Sequence, residues 1–364
     1  MIPSKMLNYF LLLAVFPSIW ALVHTQYFTP VYWSSESTTS SNKYLAPQLW
    51  PSWSSTEFVE SSIEDTKSMT LVKGKVIVIG DTRASASGLG PSARWPSLTH
   101  AFKKHDASVL VHLGDWVQDG SSPREWQQSL ASLSLLDQMK LITVRGNHDR
   151  GGLFEKLGFN DVPSAALRMT VVGSILFFLL DSEVQTEVAQ SSVDQLFEQG
   201  KLKPKLRSLL SKSKARVWVQ HRPIWSSGNH GSDERNWRHW LVPKLEALKI
   251  DLMLSGHDHD YERFCASMGI DEQRHCDSRG ITYIVSGGGA TVTVPLPNLS
   301  WKQSSKLKRD NDRQRLVFSD LAHYLYLEVK NKSLNVEAWT SRFVGHRQRF
   351  DQVKIPLKMN HFTR

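Results

Sequence analysis

From Lys73 onward, runs of β-branched and other apolar residues alternate with segments whose apolar positions recur every three or four residues. The runs predict strands at Lys75–Ile79, Ser108–Leu113, Leu141–Val144, Ala166–Val171, Ser174–Leu180, Ala215–Gln220, Asp251–Leu254 and Ile281–Val285. The second kind predicts helices at Trp95–Lys104, Pro123–Gln138, Ser192–Ser211 and Glu234–Leu248. Strand and helix in alternation give an α/β domain whose sheet faces are covered by helices. Tyr324–Val329 and Leu334–Thr340 read as a closing β-hairpin that turns around Asn331-Lys332. No internal repeat is evident.

Ahead of Lys73 the pattern changes twice. Lys5 precedes an apolar run from Leu7 to Val23, interrupted by Pro17 and Ser18. Residues 1–24 read as a signal peptide cut after Ala21, or as an uncleaved anchor, since the run is near the lower length limit for a membrane span. Either form directs the chain into the secretory pathway, secreted or membrane-anchored. Residues 25–70 are rich in Ser and Thr, keep no period, and read as a linker or a loosely packed arm. Trp33, Trp50 and Trp53 argue against complete disorder there. The folded domain is expected over residues 71–357, with a short tail at 358–364.

The chemistry lies at the carboxyl ends of the strands. Lys75–Ile79 ends in Gly80-Asp81 and Ser108–Leu113 in Gly114-Asp115. Leu141–Val144 runs into Arg145-Gly146-Asn147-His148-Asp149, Ala215–Gln220 ends at His221, and Asp251–Leu254 runs into Ser255-Gly256-His257-Asp258-His259. Ligands of open α/β sheets bind beyond the carboxyl ends of the strands. Each of these ends delivers a carboxylate, an amide or imidazoles, the donor set of intermediate divalent ions such as Mn, Fe and Zn. Two such ions about 3.5–4 Å apart can clamp a phosphoryl group and supply hydroxide near neutral pH. One carboxylate then bridges them, and Asp115 is the candidate.

In this order the motifs resemble those of the calcineurin-like metallophosphoesterases, including the purple acid phosphatase branch. The resemblance covers about Lys73 to Gly289 and implies a four-layer α/β/β/α sandwich, two mixed sheets flanked by helices. It also implies two divalent metal ions: Asp81, Asp115 and His259 would hold the first, and Asp115, Asn147, His221 and His257 the second. By the same resemblance His148 stabilises transition-state charge or protonates the leaving oxygen, and Asp149 orients its ring. The implied activity is hydrolysis of phosphate monoesters or diesters. Two positions depart from the family pattern. Many members carry His two residues after the first Asp, where this chain has Arg83. Purple acid phosphatases carry a metal-binding Tyr three residues after the second Asp, where this chain has Gln118, so an iron–tyrosinate centre is not expected. Arg83 either contacts the substrate phosphate, which a guanidinium matches bidentately, or pairs with a nearby carboxylate. These departures keep a second reading open, a degenerate member that binds metal or anions at a surface.

Other residues carry less. His230, in Ser226-Ser227-Gly228-Asn229-His230, is a candidate substrate contact or a surface loop histidine. His112 lies in an apolar strand and reads as a satisfied core histidine. Tyr261 and Arg263 come just after the last ligand and are candidates for lining the site. Gly287-Gly288-Gly289 lacks the Lys-Ser/Thr of a phosphate loop and reads as a close backbone approach.

Composition adds compartment and partner. The formal net charge of +9 suits anionic partners such as phosphate esters. Part of the excess lies in Lys302–Arg315, read as a solvated basic loop. No nucleic-acid recognition motif accompanies it, so no nucleic-acid partner is expected. Two cysteines, Cys265 and Cys276, are too few for a zinc cluster and would pair in an oxidising compartment. Asn298-Leu299-Ser300 and Asn331-Lys332-Ser333 are glycosylation sequons.

Overall fold

The computed structural model describes residues 53–54, 74–83, 95–133, 136, 139–157, 159, 165–265, 280–289, 315–341, 344 and 346–358. The apolar run at Leu7–Val23, Cys276 and the Asn298 sequon lie outside them. Among the described residues no helix is long and apolar enough to cross a membrane.

In chain order the strands are β1 (Trp53–Ser54), β2 (Lys75–Ile79), β3 (Val109–His112), β4 (Lys140–Thr143), β5 (Leu167–Val172), β6 (Ile175–Leu180), β7 (Phe197–Glu198) and β8 (Lys201–Leu202). They continue as β9 (Ala215–Val219), β10 (Leu252–Ser255), β11 (Tyr261–Cys265), β12 (Thr282–Ser286), β13 (Arg315–Ser319), β14 (His323–Lys330), β15 (Ser333–Thr340) and β16 (Gln348–Pro356). The helices are α1 (Trp95–Phe102), α2 (Pro123–Leu133), α3 (Leu153–Lys156), α4 (Thr186–Asp194), α5 (Pro204–Lys212) and α6 (Arg238–Ala247). One sheet runs β16-β15-β14-β2-β3-β4 and the other β1-β5-β6-β9-β10-β12-β11-β13. Both are mixed. β2, β3 and β4 are parallel, as are β6, β9, β10 and β12, and antiparallel strands extend each sheet.

The pleat explains the layers. Val76 and Val78 point into the core shared with Phe177, Val217 and Leu254 of the other sheet. Ile77 and Ile79 point the opposite way, onto Trp95, Leu98 and Phe102 of α1 and Trp126 of α2. Val193, Leu206, Leu210, Leu241 and Leu245 bring α4, α5 and α6 into the larger core cluster. Each such fully buried aliphatic side chain contributes about 1.5–3 kcal/mol. The result is two mixed sheets with flanking helices, as the resemblance implied.

Three elements differ from the sequence reading. The single helix expected over Ser192–Ser211 is two helices, α4 and α5, separated by the β7–β8 hairpin. Gln199 and Gly200 turn that hairpin with φ of 48° and 75°, and Pro204 starts the next helix. The helix expected from Glu234 begins at Arg238, because Asp233 Oδ1 accepts the N–H groups of Trp237 and Arg238 at 2.7 and 3.0 Å. Within the Ser/Thr-rich arm, Trp53–Ser54 pairs with Arg168–Met169 as an edge strand. The expected hairpin is present: β14 and β15 turn at Asn331 and Lys332, with φ of 50° and 61°.

Two buried histidines carry a pH consequence. His323 Nδ1 donates to the Leu321 carbonyl at 2.7 Å and Nε2 meets Ser286 Oγ at 3.0 Å. Burial pushes the His323 imidazole down to about 4. His112 is likewise held well below the ordinary range by burial; it bonds Thr82 Oγ1 and the Gly114 N–H and stacks on Trp116, a satisfied core histidine as read. Native His323 refuses a proton that the unfolded chain accepts near pH 6.5. Its contribution is therefore full above pH 6.5 and is lost as pH falls toward 4, about 3 kcal/mol in all. Urea melts from pH 7 to 4 check this, and His323→Gln is expected to flatten the slope in that window.

Candidate metal centre

The C-terminal ends of β2, β3 and β4 in one sheet, and of β9 and β10 in the other, meet at one place. Asp81 and Asp115 sit there in the left-handed backbone region, at φ of 55° and 59°, and His257 at 74°. Such strain in non-glycine residues persists where the surroundings over-determine it, and it clusters at functional sites. Neighbouring glycines permit the approach. A Cβ on Gly146 would lie 2.1 Å from Asp115 Oδ1, and one on Gly256 would lie 2.5 Å from Asp81 Oδ2. Gly287 presses on the same place, where a Cβ would stand 2.8 Å from Asp81 Oδ2, so the glycine run is the close backbone approach read from sequence.

His221 is buried, and its Nδ1 donates to the Leu113 carbonyl at 2.8 Å, which turns Nε2 inward. That nitrogen lies 3.0 Å from Asn147 Oδ1 and 3.4 Å from Asp115 Oδ1. Asp115 Oδ2 is buried and accepts no hydrogen bond among the described residues. Three lone-pair atoms facing one another require a proton or a cation between them. The donor set of carboxylate, amide oxygen and imidazole fits Mn, Fe or Zn. His257 donates its backbone N–H to Asp81 Oδ2 at 3.0 Å, and its ring lies 5.0 Å from that of His221. Asp115, Asn147 and His221 therefore fit the second-ion position named from sequence, whereas His257 Nε2 meets Glu234 Oε2 at 3.0 Å and Arg222 at 3.2 Å and would have to leave both to join them.

The first position differs. Ligand atoms of Asp81, Asp115 and His259 lie within 4.8 Å of one another. Arg83 enters the same place: one Nη stands 2.9 Å from His259 Nε2, the other donates to Gln118 Oε1 at 2.8 Å, and Nε is 3.5 Å from Asp115 Oδ2. A metal ion at His259 would have to displace that guanidinium, so these residues do not fit an ion as they stand. Burial and the charge of Asp115 push Asp81 well above the usual carboxylate range. Burial alone would raise Asp115 too, but His221, Arg83 and His148 hold it below that range. Burial, then Arg83, pushes the His259 imidazole down to about 3.

His148 and Asp149 divide their work differently from the expectation. The ring contact expected of Asp149 is made by the Gln118 carbonyl, which accepts from His148 Nδ1 at 2.8 Å. Asp149 instead gathers backbone N–H groups, those of Asp115, Trp116 and Gly146 at 2.8 Å and that of Val117 at 3.4 Å. It clamps the loop after β3 to the loop after β4. Tyr261 and Arg263 bind Asp351 of β16 and do not line the site. His230 is brought in: its ring lies tilted 4.1 Å from that of His257 and its Nδ1 is 3.9 Å from Glu234 Oε1. Arg83, the other candidate substrate contact, is directed at Asp115, Gln118 and His259.

Sequence reasoning missed the charged shell around His257. Arg222 bonds Glu183 and Glu234 and stands 3.2 Å from His257 Nε2; Arg150 also bonds the buried Glu183. Arg222 comes directly after His221, and Arg150 directly after the Asn147-His148-Asp149 run, a flanking position that could have marked them.

Purple acid phosphatase 4 of Arabidopsis thaliana is 25% identical over 261 residues, 63% of this chain and 73% of that protein. The fold is shared with purple acid phosphatase PPD1 from yellow lupin (Lupinus luteus) seeds, at 19% identity and a TM-score of 0.57. That match covers 78% of this chain and 55% of the lupin chain, a little over half its length. GAP50, the anchor in the inner membrane complex of Plasmodium, is similar at 16% identity and a TM-score of 0.53, over 78% of this chain and 89% of that one. At these identities the two structures speak to fold alone. The family model described as calcineurin-like phosphoesterase matches residues 74–261, more than half of the chain and the stretch that supplies every residue of the centre, and the chain belongs to that family.

Proposed function

We propose that this member of a phosphoesterase family hydrolyses phosphate monoesters or diesters at the strand-end centre. The observation that carries the reading is the convergence of His221 Nε2, Asn147 Oδ1 and Asp115 Oδ1 within 3.0–3.4 Å on a buried floor. Asp115, Asn147, His221 and His257 would hold a divalent ion, Mn, Fe or Zn, while Asp81, Asp115 and His259 form the position of a second cation. A bound divalent ion supplies Lewis acidity and lowers the pKa of water from 15.7 toward about 7.

The chain's own groups do the rest. Leu113 fixes the His221 ring, and Asp149 holds the two ligand loops in register. Because His148 Nδ1 donates to the Gln118 carbonyl, Nε2 is the nitrogen that faces the leaving oxygen, and it would give a proton there from the imidazolium form, returning to the neutral Nδ1–H tautomer. Arg222, anchored on Glu183, presents a cationic group beside His257, where an anionic substrate is drawn in.

A secretory location accords with the apolar run at Leu7–Val23 and with Cys265, which is disulfide-bonded, a state that oxidising compartments favour. An uncleaved run would anchor the chain to a membrane. Arg83 at His259 favours a second reading, a metal- or anion-binding surface protein without turnover. Purified protein supplied with Mn²⁺, Zn²⁺ or Fe and offered aryl phosphate mono- and diesters separates the two. Turnover should be abolished by chelation and restored by metal. His148→Ala should lower kcat by about 10²–10⁴-fold with metal content unchanged. Bound metal with no turnover for any ion would establish the binding reading.

A further inference from the structure

We infer that the Arg83 guanidinium is the built-in cation of the first position, so that the centre holds one divalent ion beside a fixed organic charge. The inference rests on the proposed ion at Asp115, Asn147, His221 and His257, and it changes what stands next to that ion.

The two departures from the family pattern are Arg83 and Gln118, 35 positions apart in sequence, and in space they bond to each other at 2.8 Å. They occupy the positions from which the family pattern supplies ligands to the first metal. Local backbone bonding aims Arg83 there: the Asp81 N–H meets the Gly114 carbonyl at 3.0 Å, and the Arg83 N–H meets the Asp115 carbonyl at 3.1 Å. Arg83 is only 7% exposed, and its side chain reaches across the floor between Asp115 and His259.

The chemistry is specific. A guanidinium has only donors, so at 2.9 Å His259 Nε2 must be the acceptor. The lone pair it offers Arg83 is the one a metal ion would need. Two buried carboxylates, Asp81 and Asp115, lie beside each other and require positive charge nearby. Arg83 supplies it permanently, in a form that chelators do not remove and that carries no Lewis acidity. Gln118 fixes the far side of the guanidinium with its amide oxygen. A phosphoryl oxygen at this position would meet N–H donors, with the nucleophile left to the single ion.

Metal counting tests this without recourse to activity. The full chain is purified, stripped with chelator, titrated with Mn²⁺ and assayed by elemental analysis and electron paramagnetic resonance. Wild type is expected to bind about one Mn²⁺ per chain with the signal of an isolated ion. Arg83→His is expected to bind about two with an exchange-coupled signal, and Arg83→Lys to stay at about one. Two coupled ions in wild type would overturn the inference and leave the proposed metal centre standing. No bound ion in wild type would overturn the proposed centre and the inference with it. A folded Arg83→His protein that still binds one ion would also overturn it. Should Arg83→His not fold, the wild-type count decides alone.

Discussion

His221→Ala is expected to strip the bound ion and to lower aryl phosphate turnover by on the order of 10⁴-fold or more, since the water pKa shift that the ion supplies is lost with it. The buried ring spans the Leu113 carbonyl on one side and Asn147 and Asp115 on the other. Removing it takes away one ligand and frees two more to move. Asp115→Asn is expected to act in the same direction, because an amide NH₂ at either oxygen position would aim donors at the His148 N–H or into the cation site. Elemental analysis and kcat, measured on variants whose circular dichroism matches wild type, check both. An intact metal count in His221→Ala would sink the assignment of the second position.

The largest expected loss of stability comes from Asp149→Asn, the mildest change available there. Asp149 Oδ1 accepts the N–H groups of Trp116 and Val117, and Oδ2 those of Asp115 and Gly146. Asparagine keeps one acceptor and turns an NH₂ toward a pair of N–H donors. Two buried amides are then unsatisfied at about 1–3 kcal/mol each, so the loss is about 2–6 kcal/mol against a total of about 5–15. Chemical denaturation measures it, and metal binding should weaken in parallel because both ligand loops depend on the clamp. A loss below about 1 kcal/mol would show that the loops are held by something else.

The strands that carry the site were legible because they are buried on both faces and so read as continuous apolar runs. Each ended in a polar residue where a turn was due. That sufficed to name Asp81, Asp115, Asn147, His221, His257 and His259, and the structure gathers them at the same strand ends. The runs themselves carry no partner label; which sheet each strand joins came only from the family resemblance. β11, β13 and β16 were missed for a related reason. β13 and β16 are edge strands with many polar positions, and β11 begins at Tyr261, directly behind the Ser255–His259 motif. The Arg222, Glu183 and Arg150 cluster escaped because paired charges leave no periodic trace. The ring-orienting role that the resemblance implied for Asp149 is not the one seen, because four backbone amides from two loops reach its carboxylate instead. Arg83 was recognised as unusual, but its partnership with Gln118 exists only after β2 and β3 lie side by side.

β2, whose end presents Asp81, lies between β3 and β14, and its partner β14 is translated about 250 residues later. During synthesis the emerging polypeptide therefore exposes one hydrogen-bonding edge of β2 until β14 has left the ribosome. Closing so long a loop is slow, and an unpaired apolar edge invites aggregation in the interval. Chaperone engagement should accordingly persist until β14 and β15 arrive, and nascent chains stalled before Tyr324 should lack the protease resistance of the released protein.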